Sequence, residues 1–293
     1  MRVIRASAMG ICFGVRDALK YAEDVAKPIQ VTVYGELVHN PLVNARMRRR
    51  GFRQSGERDG RETMPETPQV LVTAHGISQR RRDQLISAGK NLIDATCPLV
   101  KKAHLAAQRL QAQGYHVLII GRRGHVEVQG VTEDLTSFDV ISELVDVRTY
   151  AYSRLGIMCQ TTTASPLAAE IRAVIAAKNP HAEIQYVDTI CQPTKDRQNA
   201  IEDLLDRVHV VVVVGGENSN NTRLLAQRCR QRGAVAYHVQ GAEDLNPQWF
   251  SGVDVVGLTA GTSTLPETIE EVFAALNHMR PVSQYAMQAT GSQ

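Results

Sequence analysis

The chain has 293 residues, of which 43% are hydrophobic and 22% charged, with a formal net charge of +3. That balance belongs to an ordinary globular protein, and the charge is too small to argue for a nucleic-acid partner. The N-terminus lacks a signal-peptide core and no apolar run reaches membrane-spanning length, so a cytoplasmic protein away from membranes is expected.

In chain order, the hydrophobic spacing predicts strand 2–7, helix 14–26, strand 31–35, helix 41–50, strand 69–73 and helix 78–88. Residues 53–68 read as a surface loop with one large apolar residue, Met64. Strand 91–95, helix 98–113, strands 116–120, 138–141 and 156–160, and helix 165–178 follow. The last third predicts strand 184–188, helix 193–206, strand 209–214, helix 219–232, strands 234–238 and 253–258, and helix 266–278. The tail from Met279 lacks clear periodicity. The runs VHVVVVVGG and GVDVVGLTAG are almost continuously apolar, as in parallel strands covered on both faces. The short basic runs at 48–50 and 79–84 lack accompanying aromatics and read as solvated helix faces.

Three cysteines recur at nearly even intervals. Cys12, Cys97 and Cys191 each close a strand-like run and open a helical one. Polar loop residues recur behind them: His39, His125 and Ser219 lie 27, 28 and 28 residues after the successive cysteines. His75, Thr161 and Ser263 follow at 63, 64 and 72. The expected fold class is therefore α/β, in three similar lobes at 1–96, 97–190 and 191–293, the last with a C-terminal tail. Ligands of such sheets lie beyond the carboxyl ends of the strands.

Three equivalent thiolates suit a soft metal or an iron–sulfur cluster, with unlinked core cysteines as the competing reading. Zinc with three cysteines is a further option, although the chain has no closely spaced CxxC pair. Cys159, inside a strand, and Cys229, inside a helix, read as buried small hydrophobes, and an odd total of five argues against a disulfide framework. His39, His75, Ser219, Asn220, Asn221 and Ser263 are neutral donors on loops, and Ser219 opens a helix, where free N–H groups favour an anion. Each could equally be a cap or a structural hydrogen bond. Glu127, two residues after His125, is either a proton donor beside an open metal position or a helix-start carboxylate.

The motifs GICFGV, LVHN, AHGIS, DATCPLV, GHVEV, QTT, DTICQPT with RQ, ENSNNT and TAGTS resemble, in this order, those of the LytB/IspH family over about residues 1–280. The resemblance implies three lobes in pseudo-threefold arrangement around one central 4Fe–4S cluster, with Cys12, Cys97 and Cys191 as its ligands. It implies His39, His75, Ser219, Asn221 and Ser263 as diphosphate-binding positions, and His125 in the pocket wall. Asn220 stands where the family commonly has a second serine. Glu127 matches a proton-delivering acid and Thr161 a hydroxyl bonded to it. The implied activity is reductive dehydroxylation of 4-hydroxy-3-methylbut-2-enyl diphosphate to isopentenyl and dimethylallyl diphosphate, the last step of the methylerythritol phosphate route. Ferredoxin or flavodoxin would supply the electrons. A paralogous iron–sulfur hydratase, or a reductase of another phosphorylated small molecule, is the alternative reading, and an iron–sulfur sensor a third.

Overall fold

The structure is a computed structural model and describes residues 1–56 and 63–279. The predicted 53–68 loop lies partly, and the tail after Met279 wholly, outside the described residues. The first third runs β1 (Arg2–Arg5), α1 (Phe13–Glu23), β2 (Val31–Val33), α2 (Pro41–Arg49), β3 (Arg53–Gln54), β4 (Gln69–Val72), α3 (Gln79–Ser87) and β5 (Asn91–Asp94). The second runs α4 (Pro98–Ala112), β6 (His116–Ile120), α5 (Val126–Thr132), β7 (Phe138–Ile141), β8 (Arg154–Cys159), α6 (Ser165–Lys178) and β9 (Glu183–Val187). The last holds α7 (Gln192–Leu205), β10 (Val210–Val214), α8 (Asn220–Gln231), β11 (Val235–Val239), β12 (Val255–Ala260) and α9 (Pro266–His278).

The strands form three four-stranded sheets, parallel throughout, in the orders β3-β2-β4-β5, β7-β6-β8-β9 and β11-β10-β12-β1. The three orders are one topology. In each sheet the first two strands of the lobe sit side by side, the third pairs with the first, and a fourth strand takes the far edge. This corrects the expected 1–96 boundary for one strand. β1 does not join β2–β5; Arg2–Arg5 pair with Val255–Leu258 of β12, in the edge position that β5 and β9 hold elsewhere. Its pairing spans the length of the chain, so no local pattern could assign it. Each cysteine thus follows an edge strand: Cys12 after β1, Cys97 after β5, Cys191 after β9.

The apolar strands are buried on both faces because helices cover both. Along β10, Val211 and Val213 pack with Ile201, Leu204, Leu225 and Cys229. The alternate Val212 and Val214 pack with Ile269, Val272 and Leu276. The second sheet repeats this: Leu118 and Ile120 meet Ile171 and Ile175 of α6, while Val117 and Ile119 meet Ala103, Ala107 and Leu110 of α4. Truncating any of these isoleucines or leucines to Ala costs about 2–5 kcal/mol. Cys159 and Cys229 are fully buried members of these cores. Contacts divide the chain into two compact units, Cys12–Lys195 with the first two sheets, and Met1–Ile11 with the chain from Asp196 onward, which holds the third. No helix among the described residues is long and apolar enough to cross a membrane.

Candidate functional site

In a sheet of this order the crevice opens between the lobe's first and third strands, where successive connections leave in opposite directions. Every candidate loop residue lies after one of those strands. His39 and His75 follow β2 and β4. His125 with Glu127 follows β6, and Thr161 follows β8. Ser219 to Asn221 follow β10, and Ser263 follows β12. The strand pairs are fixed by their registers, Val33 opposite Leu71, Ile120 opposite Cys159 and Val214 opposite Ala260.

The unit Cys12–Lys195 carries the ionisable groups. The rings of His39 and His75 stack with centroids 4.1 Å apart, and His125 stands edge-on to both at 5.1 and 5.8 Å. His39 Nδ1 lies 3.0 Å from Glu36 Oε2, which orients its ring. His125 caps α5, its Nδ1 accepting the Glu127 N–H at 3.1 Å. Glu127 therefore sits in the first turn of α5, only 3% exposed. Thr161 donates to both of its oxygens, its N–H to Oε1 at 2.7 Å and its hydroxyl to Oε2 at 2.8 Å. Burial pushes the Glu127 carboxyl above the usual carboxylate range; the Thr161 hydrogen bonds and nearby His39 pull the other way. The carbonyl of Thr161 in turn accepts the N–H of Cys191 at 2.9 Å.

All three repeated cysteines belong to this same unit. None is in a disulfide, and each is half-buried. Cys12 and Cys97 are the N-cap residues of α1 and α4, and neither side chain is consumed in capping. Cys191 precedes α7, where its carbonyl accepts from the N–H groups of Thr194 and Lys195. A helix N-terminus favours an anion, which suits a thiolate ligand. Burial nonetheless pushes the Cys191 thiol up to about 11, with Glu127 and Cys12 adding to the rise. Cys97 also rises, mainly by burial, with Cys12 and Glu127 again contributing. The thiols and the acid thus lie within one another's fields, and a bound cation would reverse the rise by stabilising thiolates. Among the described residues no three His, Cys, Asp or Glu side chains close around a single ion. Ligands of a polynuclear cluster sit on separate metals and so stand farther apart. Three free, half-buried thiols in one unit are a soft donor set of the kind that iron–sulfur clusters use.

The other unit carries neutral groups. Ser219 caps α8, its hydroxyl accepting from Thr222 N–H and Oγ1 at 3.3 and 2.9 Å. Asn220 begins that helix, and Asn221 beside it is 2% exposed, with a buried side-chain N–H group that has no acceptor among the described residues. An unsatisfied buried donor costs about 1–3 kcal/mol unless a ligand or water accepts from it. Thr264 Oγ1 donates to the Val214 carbonyl at 2.9 Å, tying the loop of Ser263 to the end of β10. Gly261 lets that loop approach closely, since a Cβ there would stand 2.0 Å from Thr222 Oγ1.

Sequence reasoning missed three supporting residues. Gly14 lies against Cys97: an added Cβ would stand 2.4 Å from its Sγ. Thr194 places its hydroxyl 3.0 Å from Cys191 Sγ. The buried Arg197 donates through Nη2 to the Gly10 carbonyl at 2.5 Å, fixing the backbone two residues before Cys12. All three stand inside the quoted motifs GICFGV and DTICQPT with RQ, but only Thr194 has a local structural signal, as a hydroxyl residue in the first turn of a helix. The helix α5 is absent from the predicted elements, and the structure places Glu127 at its start, one of the two positions the sequence allows.

Comparison with known proteins now decides the family. A model described as LytB protein matches residues 3–277. The chain belongs to the LytB family. It is 36% identical over 278 residues to the 4-hydroxy-3-methylbut-2-enyl diphosphate reductase of Aquifex aeolicus (strain VF5), covering 92% of this chain and 94% of that one. Among solved structures, the E-1-hydroxy-2-methyl-but-2-enyl-4-diphosphate reductase of Plasmodium falciparum matches with a TM-score of 0.86 at 25% identity, over 94% of this chain and 88% of that one. A second, the (E)-4-hydroxy-3-methyl-but-2-enyl diphosphate reductase described as the terminal enzyme of the non-mevalonate pathway, matches with a TM-score of 0.64 at 34% identity, over 94% and 99%.

Proposed function

We propose that this LytB-family chain is a 4-hydroxy-3-methylbut-2-enyl diphosphate reductase acting at the last step of the non-mevalonate route to isoprenoid precursors. The observation that carries the reading is the buried Glu127–Thr161 pair, hydrogen-bonded through the Thr161 carbonyl to the backbone of Cys191. A carboxyl whose pKa burial raises is thereby held within the electrostatic reach of the Cys97 and Cys191 thiols.

Cys12, Cys97 and Cys191 would hold one 4Fe–4S cluster. When bound, such a cluster supplies electrons one at a time and, having only three protein ligands, a Lewis-acidic iron. The reaction removes the substrate hydroxyl as water, consuming two electrons and two protons and leaving a carbon–hydrogen bond in place of the carbon–oxygen bond. Glu127 would deliver the first proton, since burial raises its carboxyl above the ordinary carboxylate range and so favours the protonated form. The Thr161 hydroxyl, 2.8 Å from Oε2, is the next atom in line and orients that proton. His39, His75 and His125 present ring N–H groups to an anion. Ser219, Asn220, Asn221 and Ser263 offer neutral donors, of which the buried amide of Asn221 lacks an acceptor among the described residues. Neutral donors bind a diphosphate without adding a fixed charge that would hold the product as tightly.

Electrons would come from a small carrier protein, a ferredoxin or flavodoxin. The test is anaerobic turnover of reduced methyl viologen with the hydroxybutenyl diphosphate. Substrate-dependent viologen oxidation, with formation of isopentenyl and dimethylallyl diphosphate, is the expected result. A cluster-loaded protein that hydrates the substrate, or leaves it untouched, sinks the reductase reading.

A further inference from the structure

A reductase whose redox centre is held by half-buried residues must receive electrons through its surface. Electron-transfer rates fall steeply with distance, so a carrier has to dock where the ligating residues come nearest to solvent. Among the grooves of the unit Cys12–Lys195 that the described residues form, two that reach a repeated cysteine can be compared. The larger, about 850 Å³, runs between α4 and β9, and its wall includes Leu99, Lys102, Leu105, Arg109, Gln185 and Cys191. The smaller, about 390 Å³, reaches Cys97 past Asp17, Lys20, Asp24 and the Asp94–Lys101 ion pair.

Their charges differ. On α4, Lys102, Leu105 and Arg109 are all exposed and recur at i, i+3 and i+7, so they form one stripe along the helix facing the groove. Among the described residues neither cation is paired with a carboxylate, and Leu105 between them is 49% exposed. The groove's own acid, Asp188, is neutralised by Lys195 at 2.6 Å. The wall therefore carries two uncompensated positive charges around an apolar centre, and its floor touches Cys191. In the smaller groove Asp94 is spent on Lys101 and Arg82, which leaves Asp17 and Asp24 against Lys20. That surface repels an acidic visitor.

We propose that the α4–β9 groove is the docking surface for a small acidic one-electron carrier protein, Lys102 and Arg109 engaging its carboxylates and Leu105 an apolar spot among them. The assignment rests on the reductase reading above and says where its electrons enter. Weak redox encounters of this kind use small interfaces and depend on charge for their association rate. Neither Lys102 nor Arg109 belongs to the substrate or thiol sets, so reversing them separates docking from chemistry.

The experiment compares wild-type holoenzyme with the double variant Lys102→Glu/Arg109→Glu, using reduced 2Fe–2S ferredoxin as the donor at low and high salt. The KM for ferredoxin is expected to rise roughly tenfold at low salt and to lose its salt dependence. Iron content and viologen-driven turnover stay at the wild-type level, and a control reversal, Asp17→Lys/Asp24→Lys, leaves the ferredoxin KM within twofold. Binding of oxidised ferredoxin, followed by calorimetry, weakens in parallel in the first variant only. An unchanged ferredoxin KM and affinity in Lys102→Glu/Arg109→Glu, or a larger change in the control, overturns the assignment. Failure of wild-type viologen turnover would instead remove the reductase reading, and the calorimetric comparison would still judge the groove.

Discussion

The sheets in the unit Cys12–Lys195 and the sheet of β10–β12 share one strand order, yet the loops at their switch points carry different chemistry. The first two sheets present three imidazoles and a buried carboxyl beside free thiols. The third presents a serine cap and a buried amide whose donor has no acceptor among the described residues. Topology dictates where functional groups can stand, at the carboxyl ends of paired strands. On the proposed function, the thiols and Glu127 of the first unit serve the cofactor and the chemical step, while its imidazoles, like the donors of the third sheet, hold an anion. Substituting those thiols or that acid should therefore destroy the cofactor or the chemical step, and substituting the donors of the second unit should weaken binding.

The largest effect belongs to the thiols. Cys191→Ser is expected to lose the cluster and all turnover, whereas Cys159→Ser and Cys229→Ser keep both, which iron analysis and the absorption spectrum check. Equal iron retention in all three variants would erase the distinction between repeated and core cysteines. Next, Glu127→Gln should keep iron and substrate affinity while lowering kcat by roughly 10²–10⁴. A variant with full activity would remove the acid from the chemistry. In the other unit, Asn221→Ala should raise the substrate Kd by roughly 10–100-fold, the range of a hydrogen bond to a charged group, with kcat nearly unchanged. A loss confined to kcat there would collapse the division between the two units.

The smallest effect is on stability. The folded chain holds the Glu127 proton more tightly than the unfolded chain, so that contribution is complete below the ordinary glutamate range near 4.5 and is lost as pH rises through the higher native value. Glu127→Gln has no such proton to lose. Its Tm in the cofactor-free protein should therefore gain on wild type as pH climbs above that range, and scanning fluorimetry across pH reads the difference. A constant gap would mean that the buried carboxyl is ionised throughout.

What could be read from the chain alone follows from how local each signal is. The valine run 210–214 announces itself by unbroken β-branched apolar residues, the helix 165–178 by period, and the three cysteines by spacing. β1 was legible as a strand, but its sheet was not, because its partners, Val255–Leu258, lie at the other end of the chain. α5 escaped because its seven residues are rich in β-branched Val126, Val128 and Val131, which read as strand or loop until the burial of Val128 and Val131 with Leu110 and Ile119 is seen. Gly14 has no local signal at all: its role is to leave room for a sulfur 83 positions away.

The most direct test of the account is the iron and acid-labile sulfide content of anaerobically reconstituted protein, compared with Cys12→Ser, Cys97→Ser and Cys191→Ser. About four irons and four sulfides per chain, falling sharply in each variant, is the predicted result. A single metal ion without sulfide, or a content indifferent to these three substitutions, would contradict it.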